Sequence, residues 1–171
     1  MSDLYRLQWN VLGNIEEGRE NLGSSMPVAV YRLMEYSMRE ALETEYGKEA
    51  SAEIFRKAGA AAGRELAANA LDLSKDIYGV VAQLQGLFKE LQIGVLRVEK
   101  MEEETGTLYL TVSEDLDCSG LPVTGETVCF YDEGMIKGIL EAYTNKQYDV
   151  REIDCWCTGS RVCRFRACVK A

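Results

Sequence analysis

All six cysteines of this 171-residue chain lie at or beyond Cys118, and the chain has no histidine. The run from Leu121 to Val169 holds Cys129, Glu152, Cys155, Cys157, Cys163 and Cys168 around a turn of Thr158, Gly159 and Ser160. Thiols and a carboxylate at this density point to a metal. Zinc and iron take thiolate ligands, and a closed set of four donors locks a small hairpin to a helix. Without histidine, a zinc site here must be built from Cys and Asp or Glu.

The bulk properties narrow the function classes. The length suits one domain with a sizeable core. A net charge of -9 argues against phosphate-neutralising nucleic-acid binding and against docking on anionic lipid. There is no transmembrane-length apolar run, and an N-terminus carrying Asp3, Arg6 and Trp9 lacks the apolar stretch of a signal peptide. The expected location is therefore cytoplasmic, with no membrane or direct nucleic-acid partner. In that compartment cysteines serve as thiols or ligands more than as disulfides.

The helical period dominates the front of the chain. Residues 1–23 read as an N-terminal arm punctuated by Gly13, Gly18 and Gly23, with Trp9 packed on a second copy or on the chain's own core. Residues 24–171 read as one domain, with a helical half over 24–93 and a sheet and metal-site half over 94–171. Ser25 before Met26 and Pro27 predicts a capped helix start, and Gly47 its stop. Val30, Met34, Met38 and Ala41 predict a core-facing stripe on that helix. A second helix is expected over Lys48–Leu71. Its Gly59 and Gly63 cost about 1 kcal/mol each against Ala, which close approach of another backbone offsets. A third helix is expected from a cap at Ser74 to Gly94, with a broad apolar stripe through Val80, Leu84 and Phe88.

The period then changes from 3.6 to 2. Leu96 and Val98, then Leu108, Leu110 and Val112, alternate with polar residues around a turn at residues 102–106, predicting a hairpin with one wet face. Thr124 and Gly125 are expected to open a fourth helix carrying Cys129, Gly134 and Gly138. The last two strands are expected over Tyr148–Cys155 and Arg161–Val169. Cys163, Phe165 and Ala167 then share the inner face, and Cys168 points outward with the arginines. Glu152 shares a face with Tyr148 and Val150. A carboxylate in that line is costly unless paired or ligating. Cys129, Glu152, Cys155 and Cys163 together would complete a closed tetrahedral zinc site, with Cys118 or Cys157 able to replace one of them. The competing reading is a set of buried reduced thiols. An iron–sulfur cluster fits the donor count but not its usual spacings. Catalysis is poorly supported, for nucleophile and dinucleotide motifs are missing.

At these residues the chain resembles the 4-vinyl reductase domain family. The match is carried by Cys118-Ser-Gly-Leu-Pro122, Gly125-Glu-Thr-Val-Cys129, Gly134 with Gly138, and Glu152-x-x-Cys155-Trp156-x-x-Gly159-x-x-x-Cys163-x-Phe165. It covers the last third of the chain, while the front half, including Pro27-Val-x-Val-Tyr-Arg-Leu33, agrees more loosely. The resemblance implies an α/β (α+β) fold, an antiparallel sheet packed with several helices. That fold is shared with Golgi transport-particle subunits and haem-based nitric-oxide sensors. The resemblance also implies a binding domain for a small hydrocarbon or aromatic ligand, acting as a homodimer. In related phenol sensors a structural zinc is held by three Cys and one Glu, which maps onto Cys129, Glu152, Cys155 and Cys163. Tyr31, Phe55, Tyr78, Phe88 and Tyr109 are candidates to line the ligand pocket. The alternatives are a reductase acting on a tetrapyrrole vinyl group and an interaction subunit like those of the Golgi transport particle.

Overall fold

The computed structural model describes residues 7–102 and 104–170. The first six residues of the expected arm and Glu103 of the expected turn lie outside the described residues. The chain forms two compact units, Met1–Ser51 and Ala52–Ala171.

In the first unit a short 3-10 turn, Trp9–Leu12, precedes α1 (Ile15–Gly18), which Asn14 caps by accepting from the Glu17 N–H. Helix α2 runs from Val28 to Tyr46. Its N-cap is Pro27 with no side-chain cap bond, so the expected cap at Ser25 is corrected. Gly47, at φ +83°, ends it as expected. The stripe of Val30, Met34 and Met38 is exposed instead of core-facing. Among the described residues of this unit α2 is the one long helix, so no second layer of its own covers that stripe. Glu35 and Arg39, paired at 2.9 Å, are its buried residues.

Helix α3 (Lys48–Ala70) leads into the second unit, followed by α4 (Ile77–Glu90), β1 (Val95–Glu102), β2 (Thr107–Ser113), α5 (Phe130–Thr144), β3 (Tyr148–Asp154) and β4 (Cys163–Val169). The sheet order is β1-β2-β4-β3, antiparallel throughout. α4 packs on β1 and α5 on β3. The core is built on Phe88, Val112, Ile139 and Phe165, all fully buried.

The cap of α4 is not Ser74. Its hydroxyl donates to Asp72 at 2.6 Å, and Asp76 instead accepts from the Gly79 N–H at 2.8 Å. An aspartate here also meets the positive end of the helix. Asp76→Ala is expected to cost about 1 kcal/mol in a chemical-denaturation measurement. Helix α4 stops at Glu90, short of the expected Gly94, which is pressed against Val112.

The two glycine pairs meet each other. A Cβ on Gly59 would stand 2.0 Å from the Tyr131 carbonyl oxygen, and one on Gly63 would stand 2.2 Å from that of Met135. On the facing helix, a Cβ on Gly134 would lie 2.1 Å from the Arg56 oxygen, and one on Gly138 2.3 Å from that of Ala60. Helices α3 and α5 therefore touch backbone to backbone, as the spacing of small residues implied. Arg56 Nε donates to Glu133 at 2.5 Å across the same crossing.

Helix α5 begins at Phe130, not at Thr124. The Thr124 and Gly125 N–H groups both donate to the Cys157 carbonyl at 2.9 Å, and Gly125 has φ +83°. These contacts tie residues 121–129 to the β3–β4 turn as a loop and leave Cys129 as the N-cap of α5. Among the described residues no helix is long and apolar enough to cross a membrane.

Candidate metal centre

Four elements each deliver one cysteine to one point. Asp115 Oδ1 accepts from the N–H groups of Asp117 and Cys118, at 2.9 and 3.3 Å, which turns the chain after β2 and points Cys118 inward. Cys129 caps α5. Cys155 follows β3 and opens the 3-10 turn Trp156–Thr158, closed by Gly159 at φ +93°. Cys163 is the first residue of β4, paired with Val112 of β2. All four are buried, and their sulfurs lie within 4.8 Å of one another. Trp156 Nε1 donates to the Leu121 carbonyl at 2.9 Å, and Arg161 lies over the Trp156 ring at 5.4 Å, clamping loop and turn together.

The sulfur spacings test whether a metal fits. A tetrahedral zinc with bonds of about 2.3 Å to sulfur has sulfur–sulfur edges of about 3.8 Å. Cys129 stands 3.7 Å from Cys163 and 3.9 Å from Cys155, which match, while Cys118 and Cys163 are closer, at 3.1 Å. The electrostatics agree. Hydrogen bonds from Cys118, Cys129 and Cys163 pull the Cys155 thiol well below its ordinary range. The Cys129 and Cys163 thiols are pushed up, in each case first through Cys118. The protein's own groups thus favour one thiolate here. Holding four at these distances requires a cation.

Cys129, Cys155 and Cys163 of the expected set are brought together, and Cys118, anticipated as a replacement, completes the group. Glu152 sits beside them on the inner face, opposite Phe165. Its Oε2 accepts from the Cys129 and Val128 N–H groups, at 3.0 and 3.2 Å. Its Oε1 is buried without a hydrogen-bond partner. Burial pushes its carboxyl up to about 9, with the Cys155 charge adding to the effect. Cys157 is buried outside the group, its thiol pushed up to about 12 by burial. Cys168 lies on the other side of β4, where Thr107 donates to it at 3.8 Å. Sequence reasoning missed Asp115 and Asp132, which form a second close trio with Cys129. Burial, then the charges of Asp117 and Asp115, raise Asp132 well above the usual carboxylate range. Nothing in the spacing of an acidic loop and a helix start marks these residues as neighbours.

A four-stranded antiparallel sheet carrying helices, with a buried cysteine centre beside one helix N-terminus, defines the class. Within it, residues 108–168 match the family model of the 4-vinyl reductase (V-4-R) domain, bearing out the resemblance seen in the sequence. An uncharacterised protein of Methanocaldococcus jannaschii is 30% identical over 95 residues, which are 55% of this chain and 56% of that relative. The chain thus spans little more than half of that relative's length. Among solved structures, the phenol-responsive sensory domain of the transcription activator PoxR with phenol superposes with a TM-score of 0.66 at 15% identity, over 86% of this chain and 76% of that one. A vinyl-4-reductase family protein from Methanocaldococcus jannaschii gives 0.62 at 17%, over 95% and 94%. A trafficking protein particle complex subunit 3 from Naegleria fowleri, covalently bound to palmitic acid, gives 0.68 at 13%, over 84% and 95%. At these identities the likeness is one of fold, and that fold is the one the resemblance implied.

Proposed function

We propose that this chain is a cytoplasmic domain binding a small apolar or aromatic ligand, its C-terminal half organised by a structural zinc ion. The observation that carries the ligand reading is an apolar cavity of about 30 Å³ between α4, the inner sheet face and α5. Val80, Leu84, Phe88, Leu108, Leu110 and Ile139 are among its walls. Of the expected aromatic lining, Phe88 takes part. Tyr78 is exposed, Tyr109 lies under Lys100 at 5.9 Å, and Phe55 is buried outside the cavity walls. Tyr31 belongs to the first unit. The space suits about one water molecule, so a ring-sized ligand enters as α4 swings outward. The family match over residues 108–168 and the likeness to a phenol-responsive domain support the same reading.

The test uses phenol and toluene as probes in thermal unfolding and native mass spectrometry. Either probe should raise the unfolding temperature of the wild-type chain. Leu84→Ala should lose about 2–5 kcal/mol of stability and recover part of it when toluene fills the enlarged space. Neither probe binding wild type or Leu84→Ala would sink the ligand reading.

The zinc reading rests on the sulfur spacings. Cys118, Cys129, Cys155 and Cys163 supply four donors, and Glu152 arranges Cys129 through its amide bonds. The set Cys129, Glu152, Cys155 and Cys163 is the alternative, supported by the unpartnered Glu152 Oε1. A structural zinc of this kind is closed and contributes folding energy, not catalysis. A homodimer would cover the exposed Val30, Met34 and Met38 of α2. Met34→Glu should then shift the protein to a smaller species in size-exclusion chromatography.

A further inference from the structure

A second concave site, of about 350 Å³, lies between α3, α5 and β3, wholly within the unit Ala52–Ala171. It shares no lining residue with the four cysteines. In a chain of net charge -9 its walls carry Arg56, Lys57, Arg64, Lys137, Arg151 and Lys170 against three carboxylates, those of Glu53, Glu133 and Asp149. Clustered cations in a cleft focus the field and attract anions whatever the overall charge.

The floor of the site is the outer edge of β3. The bond from the Lys170 N–H to the Gln147 carbonyl fixes the alternation of the ladder. Asp149 and Arg151 therefore bond toward β4, while Tyr148, Val150 and Glu152 turn their N–H groups outward. Two of those three are met by α5: Glu141 accepts from Tyr148 at 3.1 Å and Glu133 accepts from Glu152 at 2.7 Å. Lys137 stands one helical turn from each of these glutamates and so comes level with Val150. No protein acceptor meets the Val150 N–H among the described residues, although Val150 is 3% exposed. Buried N–H groups are almost always paired.

The cations are also under-used. Arg56 is committed to Glu133 and Lys137 to Glu141. Lys57, Arg64 and Arg151 reach Glu53, Glu141 and Glu133 at 3.8, 4.0 and 3.7 Å, too far for hydrogen bonds. Arg151 also approaches Asp149 at 3.3 Å. The geometry points to a binding site for a small organic oxyanion, a carboxylate or phosphate. One of its oxygens accepts from the Val150 N–H, and Lys57, Arg64 and Arg151 share its charge. An acidic peptide added as an extra strand is disfavoured, because α5 already occupies the flanking N–H groups of the edge. This site stands independently of the apolar cavity and of the zinc reading.

The test is a titration of the full chain with inorganic phosphate, and separately with citrate, at low ionic strength, followed by amide NMR. A saturable shift of the Val150 amide is expected, weakened about tenfold or more in Arg64→Gln with Arg151→Gln, and weakened by added salt. Both arginines are roughly half exposed, so the variant should keep an otherwise unchanged spectrum, and Lys57→Gln serves as a milder second variant. Response to phosphate alone assigns a phosphate ligand, and response to citrate alone assigns a polycarboxylate. No saturation by either anion up to about 20 mM, or equal binding by wild type and both variants, overturns the proposal.

Discussion

Cys129→Ser is expected to strip the protein of zinc and to unfold the β2–β4 region in the same step. In zinc-finger peptides a structural zinc contributes about 10 kcal/mol or more to folding at neutral pH. The whole stability of a domain is about 5–15 kcal/mol. Loss of the ion therefore removes most or all of the margin, not a fraction of it. Cys129 is also the N-cap of α5 and lies where the Glu152 carboxylate holds the loop, so helix and sheet lose their common anchor together. Metal analysis and circular dichroism of the variant, with chelator-treated wild type alongside, check this. Wild-type protein that binds no zinc, or a variant that keeps its full melting temperature, would end the zinc reading.

The same experiment separates the two donor sets. Cys118→Ser should weaken zinc and change the cobalt-substituted absorption if Cys118 is a ligand. Glu152→Gln retains a carbonyl oxygen for the Cys129 and Val128 N–H groups, at 3.0 and 3.2 Å in the wild type. If Glu152 arranges the loop without touching the ion, that variant keeps its zinc and loses roughly 1 kcal/mol. If it is a donor, zinc is lost. Binding releases thiol protons, so zinc affinity should fall as the pH is lowered.

The second large effect is at the helix crossing. Gly63→Ala combined with Gly138→Ala is expected to lower the melting temperature by about 5–10 °C, a loss of about 2–3 kcal/mol. Each new methyl would stand 2.2 or 2.3 Å from a backbone oxygen of the facing helix, and backbone cannot turn aside as a side chain can. Helix propensity works the other way, worth about 1 kcal/mol per Gly→Ala change, and it is outweighed here. Gly86→Ala is the control. No atom lies within 4 Å of its would-be Cβ, so that variant should gain up to about 1 kcal/mol. If the double variant were stabilised like the control, α3 and α5 would not be in backbone contact.

The chain's periodicities reveal more of the fold than of its local boundaries. The change from period 3.6 to period 2 near Gly94 divides helices from sheet, because alternation and the helical turn place side chains on faces by covalent geometry alone. The inward side of β3 and β4 is legible for the same reason, down to buried Glu152 beside exposed Ile153. Helix starts were less legible. Ser74 and Asp76 are both good caps, and the choice fell to Asp76 because Ser74 is occupied by Asp72. The start of α5 moved from Thr124 to Phe130 because the Cys157 carbonyl, distant in sequence, takes two N–H groups of the intervening loop. The α2 stripe misled because apolar spacing identifies a face without saying what covers it.

What the sequence determined by itself was the element order, the paired glycines that let two helices meet, and a thiol-rich C-terminal half with Cys129, Cys155 and Cys163 as donors. Those follow from residue type and spacing. Only the tertiary structure decided that Cys118 joins them, that Glu152 bonds the α5 amides, and that Val150 leaves an N–H open on a cationic edge. Each depends on where chain segments tens of residues apart come to rest, and that is set by packing and by the pairing of buried polar groups.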